Sequence, residues 1–220
     1  MADIDTDKKA ADISPSPSLP SSSPSSGETA AILHSTRLMV RSAFFAALTA
    51  VGAVLTLPLP VSPVPFTLQV MFMIMSGLVL GARYGAYSQL IYVLMGAVGL
   101  PVFAKGGAGL GILLGPTGGF IVGFIASAWV IGLLAQLIRK LSFSRRLRLV
   151  FYMLAALAGS SIYFLLGTWR LAAVLQIGWR EAALLGILPF IIPDAVKAIA
   201  AAWLTVALEE RGILSADLPE

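Results

Sequence analysis

Long apolar runs separated by short polar breaks fill most of the chain after residue 37. A helix rises about 1.5 Å per residue, so each run can cross a hydrocarbon core of about 30 Å once tilt is allowed for. The pattern predicts six membrane-crossing helices, at about Leu38 to Leu57, Phe66 to Ala82, Gly85 to Leu100, Leu113 to Ile138, Leu149 to Thr168 and Ala183 to Leu208. The predicted fold class is therefore all-α, in a polytopic membrane protein.

The two ends of the chain differ from this six-helix transmembrane domain, which we place at residues 37–210. Residues 1–36 include a stretch at 14–27 that is almost wholly Ser and Pro. Such a composition buries too little apolar area to order itself, so we expect a disordered tail. The tail lacks a basic start followed by an apolar core, so we expect no secretory signal peptide. Residues 211–220 are predicted to form a short C-terminal tail.

Composition and charge agree with a membrane location, because 58% of the residues are hydrophobic and only 12% are charged, against about 25% in soluble domains. With a cytoplasmic N-terminus, the inner basic residues are Lys8, Lys9, Arg37, Arg41, Arg83, Arg139, Lys140, Arg145, Arg146, Arg148 and Arg211, and the outer ones are Lys105, Arg170 and Arg180. This asymmetry predicts an N-in, C-in protein of the cytoplasmic membrane. We interpret the basic clusters as topology signals and not as a nucleic-acid surface; a patch for a specific partner is the second interpretation.

Few side chains could support catalysis or hold a metal. The chain has no cysteine, and its single histidine, His34, precedes the first apolar run, which leaves no thiolate or histidine cluster. Between residues 38 and 208 the acidic residues are Glu181 and Asp194 alone. An intramembrane enzyme using Asp194 as a general acid or base would lack a nucleophile or a second membrane carboxylate, so we expect no enzyme and no cofactor. The chain also lacks a G-x-x-x-x-G-K-[ST] loop for ATP.

Asp194 and Lys197 are charged residues inside the last apolar run, and at i and i+3 they share one face of a helix. A lone charge at the centre of a membrane helix costs about 2.5 to 3.5 kcal/mol, so such groups are usually paired or line a polar cavity. Pro189 and Pro193 predict that a helix restarts near Pro193, with Asp194 in its first turn. The carbonyls freed four residues before each proline, on Leu185 and Pro189, then need a polar neighbour.

This charged pair has two interpretations. It is an ion pair that satisfies itself, or it binds a small polar solute. A carboxylate only accepts hydrogen bonds and an ammonium only donates them, so the pair suits a solute with two N–H groups beside a carbonyl, such as a cyclic urea. An amide, an amino acid or a pyrimidine edge would also fit.

Two loops on the predicted outer side could complete a site. Residues 57–69 contain four prolines, which make a stiff, extended segment that serves as a lid or as a rigid linker. Residues 99–111 and 115–119 are rich in glycine, which permits close approach to a ligand or to another helix. Phe103 and Lys105 are the chemically useful side chains of this second loop.

Small residues repeat along the first predicted helix. Ala43/Ala47 and Ala46/Ala50 follow the i, i+4 spacing that lets membrane helices approach closely. Internal packing and docking of another membrane subunit both use this spacing, and the spacing alone favours internal packing.

Several of these segments together resemble the BioY family, the biotin-binding S components of energy-coupling factor (ECF) transporters. The resembling segments follow one another in the family's order between about Leu38 and Leu208. The resemblance is carried by Pro63-Val64-Pro65-x-Thr67-Leu68-Gln69, Tyr92-x-x-x-Gly96-x-x-Gly99-Leu100-Pro101-Val102-Phe103-Ala104, Gly115-Pro116-Thr117-Gly118-Gly119 and Asp194-x-x-Lys197. It implies an ECF S-component-like fold that associates with a transmembrane coupling subunit and ATPase subunits.

The resemblance also implies roles for individual residues. The implied ligand-binding residues are Thr67, Gln69, Tyr92, Phe103, Lys105, Asp194 and Lys197, and the implied docking residues are Ala43, Ala47 and Ala50. Asp194 and Lys197 would bind the ureido ring of biotin, Tyr92 and Phe103 would pack around its bicycle or tail, and Lys105 would bind its carboxylate. The predicted function is biotin uptake as the substrate-capture subunit of an ATP-driven ECF transporter. The alternative is a self-sufficient carrier of biotin or a related urea or amide solute, coupled to an ion through Asp194.

Overall fold

A computed structural model describes residues 26–60 and 62–214 of the chain. Its elements are α1 (Ser26–Val54), β1 (Thr56–Leu57), β2 (Phe66–Thr67), α2 (Gln69–Ala97), α3 (Leu110–Leu114), α4 (Gly118–Arg139), α5 (Arg145–Leu175), α6 (Trp179–Gly186) and α7 (Ile191–Glu210), with 3-10 turns at Ala104–Gly106 and Leu188–Phe190. Five helical stretches in the described part are long and apolar enough to cross a membrane. They are Gly27–Val54, Gln69–Ala97, Gly118–Arg139, Arg145–Leu175 and Trp179–Glu210. The helical membrane fold is confirmed.

The second stretch reverses direction in its middle, so the predicted second and third helices are the two arms of one hairpin. Gly81 has φ 77° and ψ −176°, a backbone conformation that is almost restricted to glycine and that interrupts α2. The Gln89 side-chain Nε2 donates to Ser76 Oγ at 3.1 Å, although a straight helix would separate these residues by about 20 Å. This turn lies at Gly81, next to Ala82, where the second predicted helix ends.

Side chains of α4 satisfy the backbone groups that this reversal frees. The Gln136 Oε1 accepts from the Ala82 backbone N–H at 3.4 Å, and the Arg139 guanidinium donates to the Leu78 carbonyl. Unpaired buried backbone groups are costly, so these two contacts stabilise the turn.

A largely buried charge network joins the ends of α4, α5 and α7 on the side that we predict to be cytoplasmic. Glu209 accepts from the Arg139 Nε at 2.9 Å, from the Tyr152 hydroxyl at 2.7 Å and from an Arg148 nitrogen at 3.4 Å. The Glu209 side chain is only 9% exposed. Arg139 and Arg148, interpreted above only as topology signals, therefore also hold three helices together.

The predicted extent of the disordered N-terminal tail is corrected. Residues 26–36 are not disordered but form the start of α1, whose Ser35 hydroxyl lies 3.4 Å from the Tyr84 hydroxyl. Residues 1–25 and 215–220, the remaining predicted tail segments, lie outside the described residues. Two short strands, β1 and β2, pair antiparallel and bring the two ends of the proline-rich loop together.

Candidate functional site

A cavity of about 200 Å³ opens between the proline-rich loop, the glycine-rich loop and helices α4, α5 and α7. Six of the seven predicted ligand-binding residues line it: Thr67, Gln69, Phe103, Lys105, Asp194 and Lys197. Its aromatic lining includes Phe120, Phe124, Tyr163, Phe164 and Phe190. The structure therefore brings together residues that are distant in the sequence, and it gives them a concave apolar space with polar groups.

The charged end of the cavity is built at the start of α7. This helix begins at Ile191, and Asp194 lies in its first turn as predicted, where the positive end of the helix dipole favours a carboxylate. The Lys197 Nζ lies 2.7 Å from Asp194 Oδ1, and both side chains are only 6% exposed. The Lys197 ammonium also lies 4.0 Å from the centroid of the Phe66 ring. Each charged group is thus paired and still faces the cavity.

Of the two carbonyls that the prolines were predicted to free before α7, that of Leu185 has a polar neighbour. The Ser62 hydroxyl donates to the Leu185 carbonyl, the group freed by Pro189, at 2.7 Å. The same Ser62 oxygen accepts from the Val64 backbone N–H at 3.0 Å. The proline-rich loop therefore contacts α6, and its residues 63–65 line the cavity, which favours a cap over a simple linker.

Tyr92 lies behind the cavity and not on its surface. Its hydroxyl accepts a hydrogen bond from Gln69 Nε2, while Gln69 Oε1 accepts one from Thr67 at 3.1 Å. The Tyr92 ring meets the Phe103 ring edge to face at 5.6 Å. A Cβ at Gly96 would lie 2.0 Å from that Phe103 ring, so glycine is required there. Tyr92 was expected to pack around the ligand, and the structure instead places it where it supports Gln69 and Phe103.

Lys105 also lines the cavity, and this residue is exposed. It lies in a 3-10 turn with φ 60° and ψ 26°, a left-handed conformation that costs an ordinary residue about 1 kcal/mol. The turn is closed by hydrogen bonds from the Phe103 N–H to the Gly107 carbonyl at 3.0 Å and from the Gly107 N–H to the Ala104 carbonyl at 3.2 Å. The loop thus holds a flexible cationic side chain beside the cavity.

The alanines of α1 divide between two faces. Ala43 and Ala47 are exposed and Ala50 is half-buried, whereas Ala46 is fully buried in the core. Internal packing therefore applies to Ala46. Beside Ala43 and Ala47, the exposed face of α1 carries the large apolar side chains of Val40 and Phe44.

Sequence reasoning missed Tyr163, whose hydroxyl donates to Asp194 Oδ2. Its ring lines the cavity, and it is only 2% exposed. No sequence signal singles it out, because it is one of several aromatic residues in an apolar run and its partner lies on another helix. Phe66 and Ser62 were missed because their partners, Lys197 and Leu185, lie far from them in the sequence.

A helical membrane protein with a partly open cavity that is lined by a buried carboxylate, a buried ammonium and a further, exposed cation has the features of a membrane-embedded binding protein for a small solute. Comparison with known proteins identifies the family within this class. The chain belongs to the BioY family, whose family model matches residues 23–212.

Relatives and a solved structure agree with this assignment. The chain is 41% identical over 174 residues to the biotin transporter BioY of Thermotoga maritima, covering 79% of this chain and 96% of the relative. It is 40% identical over 172 residues to the biotin transporter BioY of Rhizobium etli, covering 77% and 91%. The fold is similar to the crystal structure of the S-component for biotin from an ECF-type ABC transporter, with a TM-score of 0.74, 27% identity, and coverage of 84% of this chain and 97% of that one.

Proposed function

We propose that this chain captures biotin and takes it up across the membrane as the substrate-binding subunit of an ECF transporter. The main support for the proposal is the buried Asp194/Lys197 pair in the wall of a partly open cavity, in a chain of the BioY family. Relatives that cover most of its length are biotin transporters. The same pair explains how a neutral cyclic urea can be held inside a membrane protein.

Donor and acceptor chemistry supports the pair as the ureido site. The Asp194 carboxylate has lone pairs beyond those used by its protein partners and can accept a ureido N–H. Lys197 donates one hydrogen bond to Asp194 and keeps further N–H groups for the ureido carbonyl. Thr67, Gln69 and Phe103 line the cavity and can contact the rest of the bicycle.

The exposed cation of Lys105 supports a site for the carboxylate of biotin. A carboxylate at the outer part of the cavity keeps partial contact with water, which reduces the cost of desolvating it. The ammonium of Lys105 can reach such a group because it lies on a long, flexible side chain.

The chain acts with partner subunits. It has no G-x-x-x-x-G-K-[ST] loop, so ATPase subunits would supply the energy and a transmembrane coupling subunit would connect them to this chain. Ala43, Ala47 and Ala50 form the docking surface for the coupling subunit, since small residues allow close helix contact. The two arms of α2 count as separate crossings, which gives six crossings with both termini in the cytoplasm.

The test is calorimetric titration of the purified full-length protein, after bound ligand has been removed. We expect saturable binding of biotin and no binding of thiamine, a vitamin without a cyclic urea. Mass spectrometry of freshly purified protein should find copurified biotin. Absence of both biotin binding and copurified biotin would reject the proposal.

Reconstitution distinguishes the partner-driven transporter from the self-sufficient carrier. Vesicles that contain this chain alone should bind biotin without concentrating it. Concentrative uptake without partners and ATP would instead favour the carrier.

A further inference from the structure

We infer that Tyr163 is a positioning residue of the solute site, and that it acts through Asp194. The inference rests on the proposed function and adds a residue of α5 to that site. The two oxygens of Asp194 have different partners: Lys197 Nζ lies 2.7 Å from Oδ1, and the Tyr163 hydroxyl donates to Oδ2. These contacts fix the plane of the carboxylate from both sides.

Lys197 alone would not fix that plane. Its long, flexible side chain can follow Oδ1, so this bond restricts rotation of the carboxylate about its terminal bond only weakly. Tyr163 comes from a different helix, and its bond to Oδ2 removes this freedom. A preorganised acceptor loses less entropy when the solute binds, so the tyrosine strengthens binding even without contacting the solute.

The surroundings of Tyr163 hold its ring rigidly. Its ring stacks at a tilt on Phe164 at 4.4 Å and meets Phe124 edge to face at 5.6 Å. A Cβ at Gly123 would lie 2.8 Å from the Tyr163 Cα, so α4 and α5 are in close contact at this level. The Tyr163 backbone N–H also lies 3.1 Å from the Ser127 hydroxyl. A phenol held in this way can determine where Asp194 points.

The chain contains a matched control in Tyr152. This residue also lies on α5 and donates its hydroxyl to a carboxylate of α7, Glu209, at 2.7 Å. Glu209 belongs to the charge network at the other end of α7, and neither residue lines the cavity. Tyr152→Phe therefore removes the same kind of bond between the same two helices without touching the site.

The experiment compares biotin affinity and thermal unfolding of the purified full-length protein for wild type, Tyr163→Phe, Asp194→Asn, the double variant and Tyr152→Phe. Tyr163→Phe should weaken biotin binding about tenfold or more, the range expected for a lost hydrogen bond to a charged group. Because the tyrosine acts through Asp194, the double variant should bind no more weakly than Asp194→Asn alone. Tyr152→Phe should lower the unfolding temperature and leave affinity unchanged.

The possible failures are distinguishable. If wild type does not bind biotin, the proposed function fails. If wild type binds and Tyr163→Phe binds equally well, or if the losses in the double variant add, the positioning role is wrong. If Tyr163→Phe and Tyr152→Phe lose affinity in proportion to their losses of stability, the hydroxyl acts only on folding and the inference is also overturned.

Discussion

At the scale of single residues, the charged pair in α7 is the feature that connects sequence to function. Placing two charges in an apolar run costs free energy, and the spacing of these two residues alone places them on one helix face. Their partners from elsewhere, the Tyr163 hydroxyl and the Phe66 ring, follow only from the fold. A buried carboxylate and ammonium that line a cavity can offer one solute both an acceptor and a donor.

Asp194→Asn and Lys197→Ala should each weaken biotin binding at least tenfold. Each change leaves the other charge buried without its partner and removes a group that faces the solute. Calorimetry on purified variants measures the effect. The control is Glu181→Gln, which removes the other acidic residue between positions 38 and 208, at an exposed place on α6. Wild-type affinity in both site variants would exclude this pair from the ureido site.

Lys105→Ala should weaken the binding of biotin but not that of a neutral biotin amide. The reason is that the proposed contact is between the Lys105 ammonium and the ligand carboxylate, which the amide lacks. Competition binding with both ligands measures the difference. Arg180→Ala, at another exposed cation on the predicted outer side, is the control. Equal losses for the two ligands would contradict the assigned role.

At the scale of secondary-structure elements, the hairpin of α2 depends on buried polar contacts. The Gln89 amide nitrogen lies 3.1 Å from Ser76 Oγ, 3.0 Å from Ser88 Oγ and 3.3 Å from Thr49 Oγ1. These hydroxyls already donate to carbonyls of their own helices, so they serve as acceptors for the amide. One side chain thus links both arms of α2 to α1.

Gln89→Leu should destabilise the protein by about 1 to 2 kcal/mol, the scale of polar contacts between membrane helices. Unfolding in detergent measures the change. Tyr87→Leu, at an exposed position on the same arm, should have a smaller effect because it does not alter the hairpin contact. An unchanged midpoint for Gln89→Leu would show that apolar packing alone holds the two arms together.

At the scale of the whole molecule, the solute site and the proposed docking surface lie on different parts of the protein. The cavity is bounded by the proline-rich loop, the glycine-rich loop and helices α4, α5 and α7, whereas Ala43 and Ala47 lie on the exposed face of α1. Substitutions on this face of α1 should therefore separate assembly from solute capture.

Ala43→Leu combined with Ala47→Leu should prevent copurification with the coupling subunit and abolish ATP-driven uptake. Larger side chains keep the helices apart at a surface that needs close contact. Biotin affinity of the isolated protein should stay at the wild-type value. Ala158→Leu, at an exposed position on α5, is the matched control and should assemble normally. Normal assembly of the double variant would show that the docking surface lies elsewhere.

The apolar pattern by itself determined the helical membrane fold, because crossing a bilayer constrains the length and composition of each segment locally. The local sequence also predicted a helix break near Pro189 and Pro193. It further predicted that Asp194 lies in the first turn of the next helix and shares one helix face with Lys197. Local composition did not predict the start of α1 at Ser26 or the pairing of β1 with β2, since the local pattern of residues has no signature for either.

Only the tertiary structure decided which side chains complete the site. Tyr163 reaches Asp194 across 31 residues of sequence, and Ser62 reaches Leu185 across 123, so neither contact has a local signature. It also decided that Tyr92 supports the cavity from behind and that the alanines of α1 divide between two faces. The physical reason is that periodicity determines which face of a helix a residue lies on, whereas packing determines what that face meets.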